Sequence, residues 1–265
     1  MKCQQHREVS LPCSSGMLSS LAYYKPGTHM GEHWHDHTQV SFLLSGEMLK
    51  RHPDQDWSAL GFGFGVKPAG VVHENFAGPS GILVFTAGLT ENSEAAFGVT
   101  EPGWSAGRFD PAIIALVRAW LGAPSPERRE EVVVDLLALR TAMDPGRGAP
   151  PMLLEHARRA IMEEPHAITV AGAAELAGLH RVRFSMLFRE YYEIAPSLYR
   201  LRALTARAIR DIAEGEEGLS DIAHRVGFSD QAHITRSVQR TTGLSPGRRR
   251  SLFSWWLHSF KPYQC

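Results

Sequence analysis

The sequence predicts a two-part fold, an all-β barrel with flanking helices followed by an all-α domain built from two helix-turn-helix units. Three observations carry that reading. Up to about Ala87, short alternating apolar stretches are punctuated by glycine and proline, as in a small antiparallel barrel that we extend to about residue 105. From Met152 the apolar pattern changes to that of amphipathic helices. Within this second half, AAELAGLH from Ala173 can be laid over IAHRVGFS from Ile222, so one structural unit occurs twice.

At 265 residues the chain is long enough for two ordinary domains, each with a core of its own. Basic and acidic side chains both total 28, but they are unevenly placed. Residues 1–150 carry four more acidic than basic groups and residues 151–265 four more basic than acidic, so the second half is the one suited to a polyanion. Cys3, Cys13 and Cys265 have neither zinc-site spacing nor an evident pairing, which fits a reducing compartment. No secretory-type series opens the sequence, and no apolar run nears the ~20 residues of a membrane span. The expectation is a soluble, cytoplasmic protein with no membrane partner.

The first half is dominated by GTHMGEHWHDHTQVSFLLSG, from Gly27, with four histidines in nine residues. Strand alternation puts His33, His35, His37, Gln39 and Ser41 on one face and Trp34, Val40, Phe42 and Leu44 on the other. Residues two apart on a strand lie ~6.6 Å from each other, close enough for neighbouring imidazoles to share one ion. His29 and His37 read as rim residues. DPAIIALVRAWLG and PSPERREEVVVDLLALRTAM then read as helices within 110–143, the second with Val132, Leu136, Leu139 and Met143 on one stripe. Such helices cover the barrel. DPGRGAPP, residues 144–151, cannot continue a helix and marks the linker, which divides the chain into domains 1–143 and 152–265.

The second half opens with MLLEHARRAIMEE, whose Leu153, Ala157, Ala160 and Ile161 form a stripe. The two helix-turn-helix units occupy about 170–190 and 220–241, with Gly178 and Gly227 at turns that call for a backbone hostile to a β-carbon. Ser220 and Ser229 read as N-caps of the two helices in the second unit, and His180 as a poor cap in the first. In the recognition helices, Phe184, Leu187, Phe188, Ile234 and Val238 should face the core. That leaves Arg181, Val182, Ser185, Met186 and Arg189, then Gln231, Ala232, His233, Thr235 and Arg236, available to a DNA groove. SLYRLRALTARAIRDIAEG between the units reads as one helix that fixes their spacing. Arg248, Arg249 and Arg250 read as phosphate contacts or a solvated basic run, and the aromatic tail with Trp255, Trp256 and Phe260 as packed on the helical domain.

Paired helix-turn-helix geometry also occurs in domains that touch no nucleic acid, but here the residues carry more. LSDIAHRVGFSDQAHITRSVQRTTGLSPGRRR, residues 219–250, resembles the signature of AraC/XylS bacterial transcription regulators, and the likeness extends from roughly Pro151 to Arg250. His180 stands where that family has Ser, and Ile234 and Val238 where aromatics are common. The resemblance implies base contacts at Arg181, Val182, Ser185 and Met186, then at Gln231, Ala232, His233 and Arg236. It also implies promoter double-stranded DNA and RNA polymerase as partners, and a homodimer with the helices within 110–143 at its interface.

The histidine stretch is similar to the cupin barrel family, through Gly27, His33, His35, Gln39 and Gly46 and then PAGVVH, Pro68 to His73. Gln39 replaces the usual glutamate. This resemblance implies an effector site at His33, His35, Gln39 and His73, with His33, His35 and His73 able to hold a divalent metal cofactor, or an imidazole-lined pocket for an organic effector. The expectation is therefore a regulator, not an enzyme, controlled by a small molecule or a metal. The rival is a cupin metalloenzyme fused to a DNA-binding domain, which needs a nearby acid or base. Glu47 and Glu74 are the neighbouring carboxylates in sequence.

Overall fold

In the computed structural model, residues 6–52, 55–60, 63–91, 103–106, 111–140, 151–192 and 194–247 are described. The first part holds eight strands: β1 (His6–Pro12), β2 (Leu18–Tyr24), β3 (His29–His33), β4 (Gln39–His52), β5 (Gln55–Leu60), β6 (Gly63–Lys67), β7 (His73–Gly88) and β8 (Gly103–Ala106). They form one antiparallel sheet in the order β1-β2-β7-β4-β6-β8, with β3 added to β7 and β5 to β4. The two long strands β4 and β7 pair with each other and shift register between Leu43 and Ser45 and again between Gly46 and Met48. Such irregularities bend a strand. The sheet accordingly gathers Ala22 of β2 with Leu43, Met48, Ala77, Ile82 and Val84 of β4 and β7 into one small core.

The opposite face carries Leu21, Tyr23, Val40, Phe42, Leu44, Leu83 and Phe85, and helices cover it. α1 (Pro111–Leu121) and α2 (Pro126–Arg140) bury Val117, Trp120, Val132, Val133 and Leu136 there. Trp120 fixes the docking. Its ring stands edge-on to Phe85 at 5.1 Å and its indole N–H donates to Ser19 Oγ at 2.8 Å, so a large apolar surface is buried without orphaning its polar atom. These helices thus cover the sheet, with Leu139 partly buried, while Met143 and residues 144–150 of the expected linker lie outside the described residues.

Six helices follow: α3 (Met152–Glu163), α4 (Val170–Leu176), α5 (Arg181–Tyr192), α6 (Pro196–Glu214), α7 (Leu219–Val226) and α8 (Gln231–Thr242). In α3 the buried stripe is Leu154, Ala157, Arg158, Ile161 and Met162, spaced i, i+3, i+4, i+7 and i+8. Leu153, expected on that stripe, is 53% exposed. The apolar face begins one residue later because Arg158, polar in sequence, belongs to it.

The hydrophobic core does not divide where the linker divides the sequence. Leu154, Ile161, Phe184, Phe188 and Tyr199 form a separate core for the first helix-turn-helix unit. Ile222, Val226, Phe228, Ile234 and Val238 of the second unit instead join the sheet and α1–α2 in one cluster, through Leu204, Ala208, Ile209 and Ile212 of α6.

Polar contacts cross between the halves as well. Arg158, 1% exposed, donates to Glu155 at 2.6 and 2.8 Å, to the Tyr199 hydroxyl at 2.8 Å and to Glu47 of β4 at 3.2 Å. Burial alone would weaken its charge, but the Glu155 hydrogen bonds and the surrounding oxygens outweigh that and hold it firmly protonated. Tyr23 of β2 donates to Glu214 at the end of α6 at 3.0 Å.

Candidate functional site

In the first helix-turn-helix unit, Thr169 caps α4 by accepting from the Gly172 amide at 3.0 Å. Gly178 then turns the chain with φ +63°, a conformation that costs a residue with a β-carbon. In the second unit Gly227 does the same with φ +99°. Phe184 and Phe188 plunge into the core, with Leu187 half-buried. Helical geometry therefore turns the intervening residues outward. His180, Arg181, Val182, Ser185, Met186 and Arg189 line one open surface, on which Val182 is 61% and Met186 58% exposed. Two bare apolar side chains on a solvent face are uneconomical in a free monomer and suit a partner with apolar edges.

The second unit differs from expectation in its caps. α7 starts at Leu219 with Gly218 as its N-cap, which puts Ser220 inside the first turn. α8 is capped by Asp230, which accepts from the His233 amide at 2.7 Å, while Ser229 donates to Asp230 at 3.0 Å. A carboxylate outcompetes a hydroxyl here, because it accepts more strongly and lies at the positive end of the helix. The His233 amide and the Ser229 hydroxyl together hold the Asp230 carboxyl below the usual carboxylate range. Gln231, Ala232 and Arg236 are exposed, whereas Thr235 and His233 are half-buried. The His233 ring meets Phe228 edge-on at 5.0 Å and lies 3.2 Å from Ser229 Oγ, so it is partly engaged within the domain. Arg248–Arg250 and the aromatic tail lie outside the described residues.

The histidines assemble in a way that strand alternation does not describe. β3 stops at His33 and β4 begins at Gln39, leaving His35 and His37 in the connecting turn. His33 pairs directly with His73 of β7. His35 is tied in by the PAGVVH loop, where the Gly70 amide donates to the His35 carbonyl at 2.8 Å and the Val71 amide to Pro68 at 3.3 Å. Ring centroids lie 4.3 Å apart for His33 and His73, 5.1 Å for His33 and His35, and 5.2 Å for His35 and His73. One ring nitrogen from each of the three falls within 4.8 Å of the others.

Backbone carbonyls set the tautomers. His33 Nδ1 donates to Gly31 O at 2.7 Å and His73 Nδ1 to Val71 O at 3.0 Å, so each ring keeps its lone pair on Nε2. His35 Nε2 is buried with no hydrogen-bond partner among the described residues. Burial, with the charge of Lys67 and the neighbouring imidazoles, pulls the His35 pKa down to about 4, which keeps this ring neutral at neutral pH. Gln39 opens β4 opposite Lys67 and Gly88 and by alternation shares a face with Ser41, whose hydroxyl lies 3.2 Å from that of Thr86.

The remaining histidines are occupied elsewhere. His29 stacks on Phe76 at 4.3 Å and pairs with Glu74, and His37 pairs with Asp36 at 2.6 Å. Sequence reasoning missed Arg158 as the group that meets Glu47, and Tyr199 as the hydroxyl that holds Arg158. Over a separation of 111 residues, no local signal could have joined Arg158 to Glu47.

Residues 173–251 match a family model described as a helix-turn-helix domain. Over 81 residues the chain is 36% identical to a protein of Photobacterium leiognathi named as a probable transcriptional regulator, LumQ, with 31% of this chain and 33% of that one covered. Over 82 residues it is 30% identical to a protein of Streptomyces lividans named as an AraC-like transcription regulator, with 31% and 27% covered. The matches thus span about a third or less of these relatives' length. Among solved structures, ToxT from Vibrio cholerae aligns with 90% of this chain and 99% of its own at 8% identity and a TM-score of 0.38. Residues 173–251 of this chain therefore match a helix-turn-helix domain, and over about 80 residues the chain is similar to proteins named as transcription regulators, one of them AraC-like.

Proposed function

We propose that this chain is a sequence-specific DNA-binding transcription regulator, controlled by a divalent metal ion held on His33, His35 and His73. The observation that carries the DNA-binding reading is the pair of outward recognition faces, on α5 and α8, joined through the 19-residue helix α6. That helix is roughly 28 Å long at 1.5 Å per residue, comparable to one turn of DNA, roughly 34 Å. Arg236 and Gln231 suit bidentate contacts to guanine and adenine, whereas Val182 and Met186 suit the thymine methyl. Arg181, Ser185, Ala232, His233 and Thr235 complete the two faces. A homodimer would present four such units to a repeated or inverted pair of sites.

For the metal, the support is chemical. Three imidazoles meet within reach of one ion, two with Nδ1 fixed on a backbone acceptor, and a three-histidine set is a donor set that zinc accepts with a coordination position to spare. When bound, the ion supplies a positive centre that favours whichever arrangement of the barrel brings these rings together, and it acts on DNA binding to the extent that its affinity differs between arrangements. Neither of the two carboxylates that the enzyme reading names is free. The carboxylate of Glu47 is engaged by Arg158, and that of Glu74 by His29.

Selection of bound sequences from a random DNA pool, repeated with zinc and after chelation, tests both parts. The expected result is an enriched site bound with metal-dependent affinity, and loss of the metal dependence alone in the triple His33→Ala, His35→Ala, His73→Ala variant. Absence of any enriched sequence would sink the regulator reading. Enrichment indifferent to metal would leave the barrel to an organic effector.

A further inference from the structure

Where α1 meets the second helix-turn-helix unit, α1, α6 and α8 enclose a cleft of about 720 Å³. Among the described residues its lining includes four arginines, Arg118 of α1, Arg202 of α6, and Arg236 and Arg240 of α8, and no carboxylate. Several guanidinium groups elsewhere are matched by acids: Arg158 by Glu155 and Glu47, Arg225 by Asp211 and Glu217, Arg128 by Glu131. Arg118, Arg236 and Arg240 form no ion pair among the described residues. Four like charges facing one cavity repel each other, and an anion between them relieves that repulsion.

The cleft is also apolar. Ile114 and Leu201 contribute to its wall, and Gly243, at the end of α8, lets the Arg118 stem lie across the backbone. A β-carbon at Gly243 would come within 2.0 Å of Arg118 Cγ. Arg202 is half-buried, and burial pulls its guanidinium down to about 9. A volume of this size falls in the range of small-molecule sites, roughly 300–1,000 Å³. Guanidinium forks recognise carboxylate and phosphate groups bidentately.

We propose that this cleft is a binding site, separate from the histidine cluster, for a small organic anion that joins a carboxylate or phosphate head to an apolar body. Such a ligand would touch the covering helix and the second recognition helix at once.

Calorimetric titration of the full chain, free of DNA, with octanoate and octyl phosphate tests this, with octylamine and acetate as controls for body without anion and anion without body. Saturable binding of at least one amphipathic anion is expected, at least tenfold tighter than either control, and weakened at least tenfold by Arg240→Glu. Arg118→Glu should act alike; because its stem packs on Gly243, the exposed Arg240 is the safer variant, and a melting curve of each confirms folding. No binding of either anion, equal binding of octylamine, or binding indifferent to Arg240→Glu in a folded variant would overturn the proposal. Loss of DNA affinity in Arg240→Glu without any anion binding would also overturn it, and would make the cleft a phosphate-contact surface. The titration contains no DNA, so its outcome and that of the regulator reading are independent.

Discussion

The guanidinium of Arg158, in the first helix of the C-terminal helical half, reaches the carboxylate of Glu47 in the sheet across 3.2 Å. Arg158 is buried and also held by Glu155 and Tyr199, so the contact to Glu47 is one spoke of a hub. Breaking one spoke should cost less than removing the hub. Glu47→Gln is expected to lower stability by about 1 kcal/mol, the scale of one hydrogen bond. A double-mutant cycle with Arg158→Met should return a coupling of roughly 0.5 to 3 kcal/mol. Strict additivity in chemical denaturation would mean that the two halves do not communicate through this pair.

The same hub predicts acid sensitivity. Burial would push the Glu155 carboxyl up, but hydrogen bonds and charge from Arg158, with further hydrogen bonds from Tyr192 and Arg159, outweigh it and leave the group below its usual value of 4.5. A carboxyl depressed on folding contributes stability that is fully present above its unfolded pKa and lost as pH falls through the folded one. The first helix-turn-helix unit should therefore begin to lose stability as pH drops below about 4.5, and Glu155→Gln should flatten that part of the profile. A variant whose acid unfolding superimposes on the parent would contradict the assignment.

Metal binding should depend on the loop as well as on the ligands. Elemental analysis after zinc incubation is expected to give a near-stoichiometric ion in the parent chain and none in His73→Ala. Gly70 turns the loop with φ +74° while its amide holds His35. Gly70→Ala, which forces a β-carbon into a left-handed conformation at a cost of roughly 1 to 2 kcal/mol, should weaken zinc on the order of tenfold without removing a ligand. Unchanged affinity would show that the loop does not position the ring.

On DNA, Arg236→Ala is expected to cost about 1 to 3 kcal/mol and to relax preference at a single base. Met186→Ala should lose affinity for sites with a thymine at one position and spare the others. Binding competitions against selected and random duplexes decide the matter. Equal losses on both would reassign Arg236 to the phosphate backbone.

Much of this molecule was legible in its sequence because the signals were local. The glycine turns at 178 and 227, the buried faces at Phe184, Phe188, Ile234 and Val238, and the sheet-then-helix order each rest on spacing within a few residues. His33, His35 and His73 do come together, yet not through the continuous strand that alternation suggests, because a loop and a strand pairing deliver them from different directions. What stayed hidden was long-range or competitive. Ser229 looked like a cap until Asp230 beside it took the role. Arg158 looked like a surface charge until its partners arrived from distant parts of the chain.

The split of the hydrophobic core gives the two helix-turn-helix units unequal freedom. Ile234 and Val238 share a core with Phe42 and Trp120, so α8 should open to solvent only when the sheet itself loosens. Phe184 and Phe188 share a core with the first unit alone, so α5 can breathe while the rest stays closed. Amide exchange would see this as two cooperative units whose border runs through α6 rather than through the linker. An ion that tightens the barrel would then slow exchange in α8 and leave α5 nearly untouched, which equips the protein to hold one unit steady while the other moves.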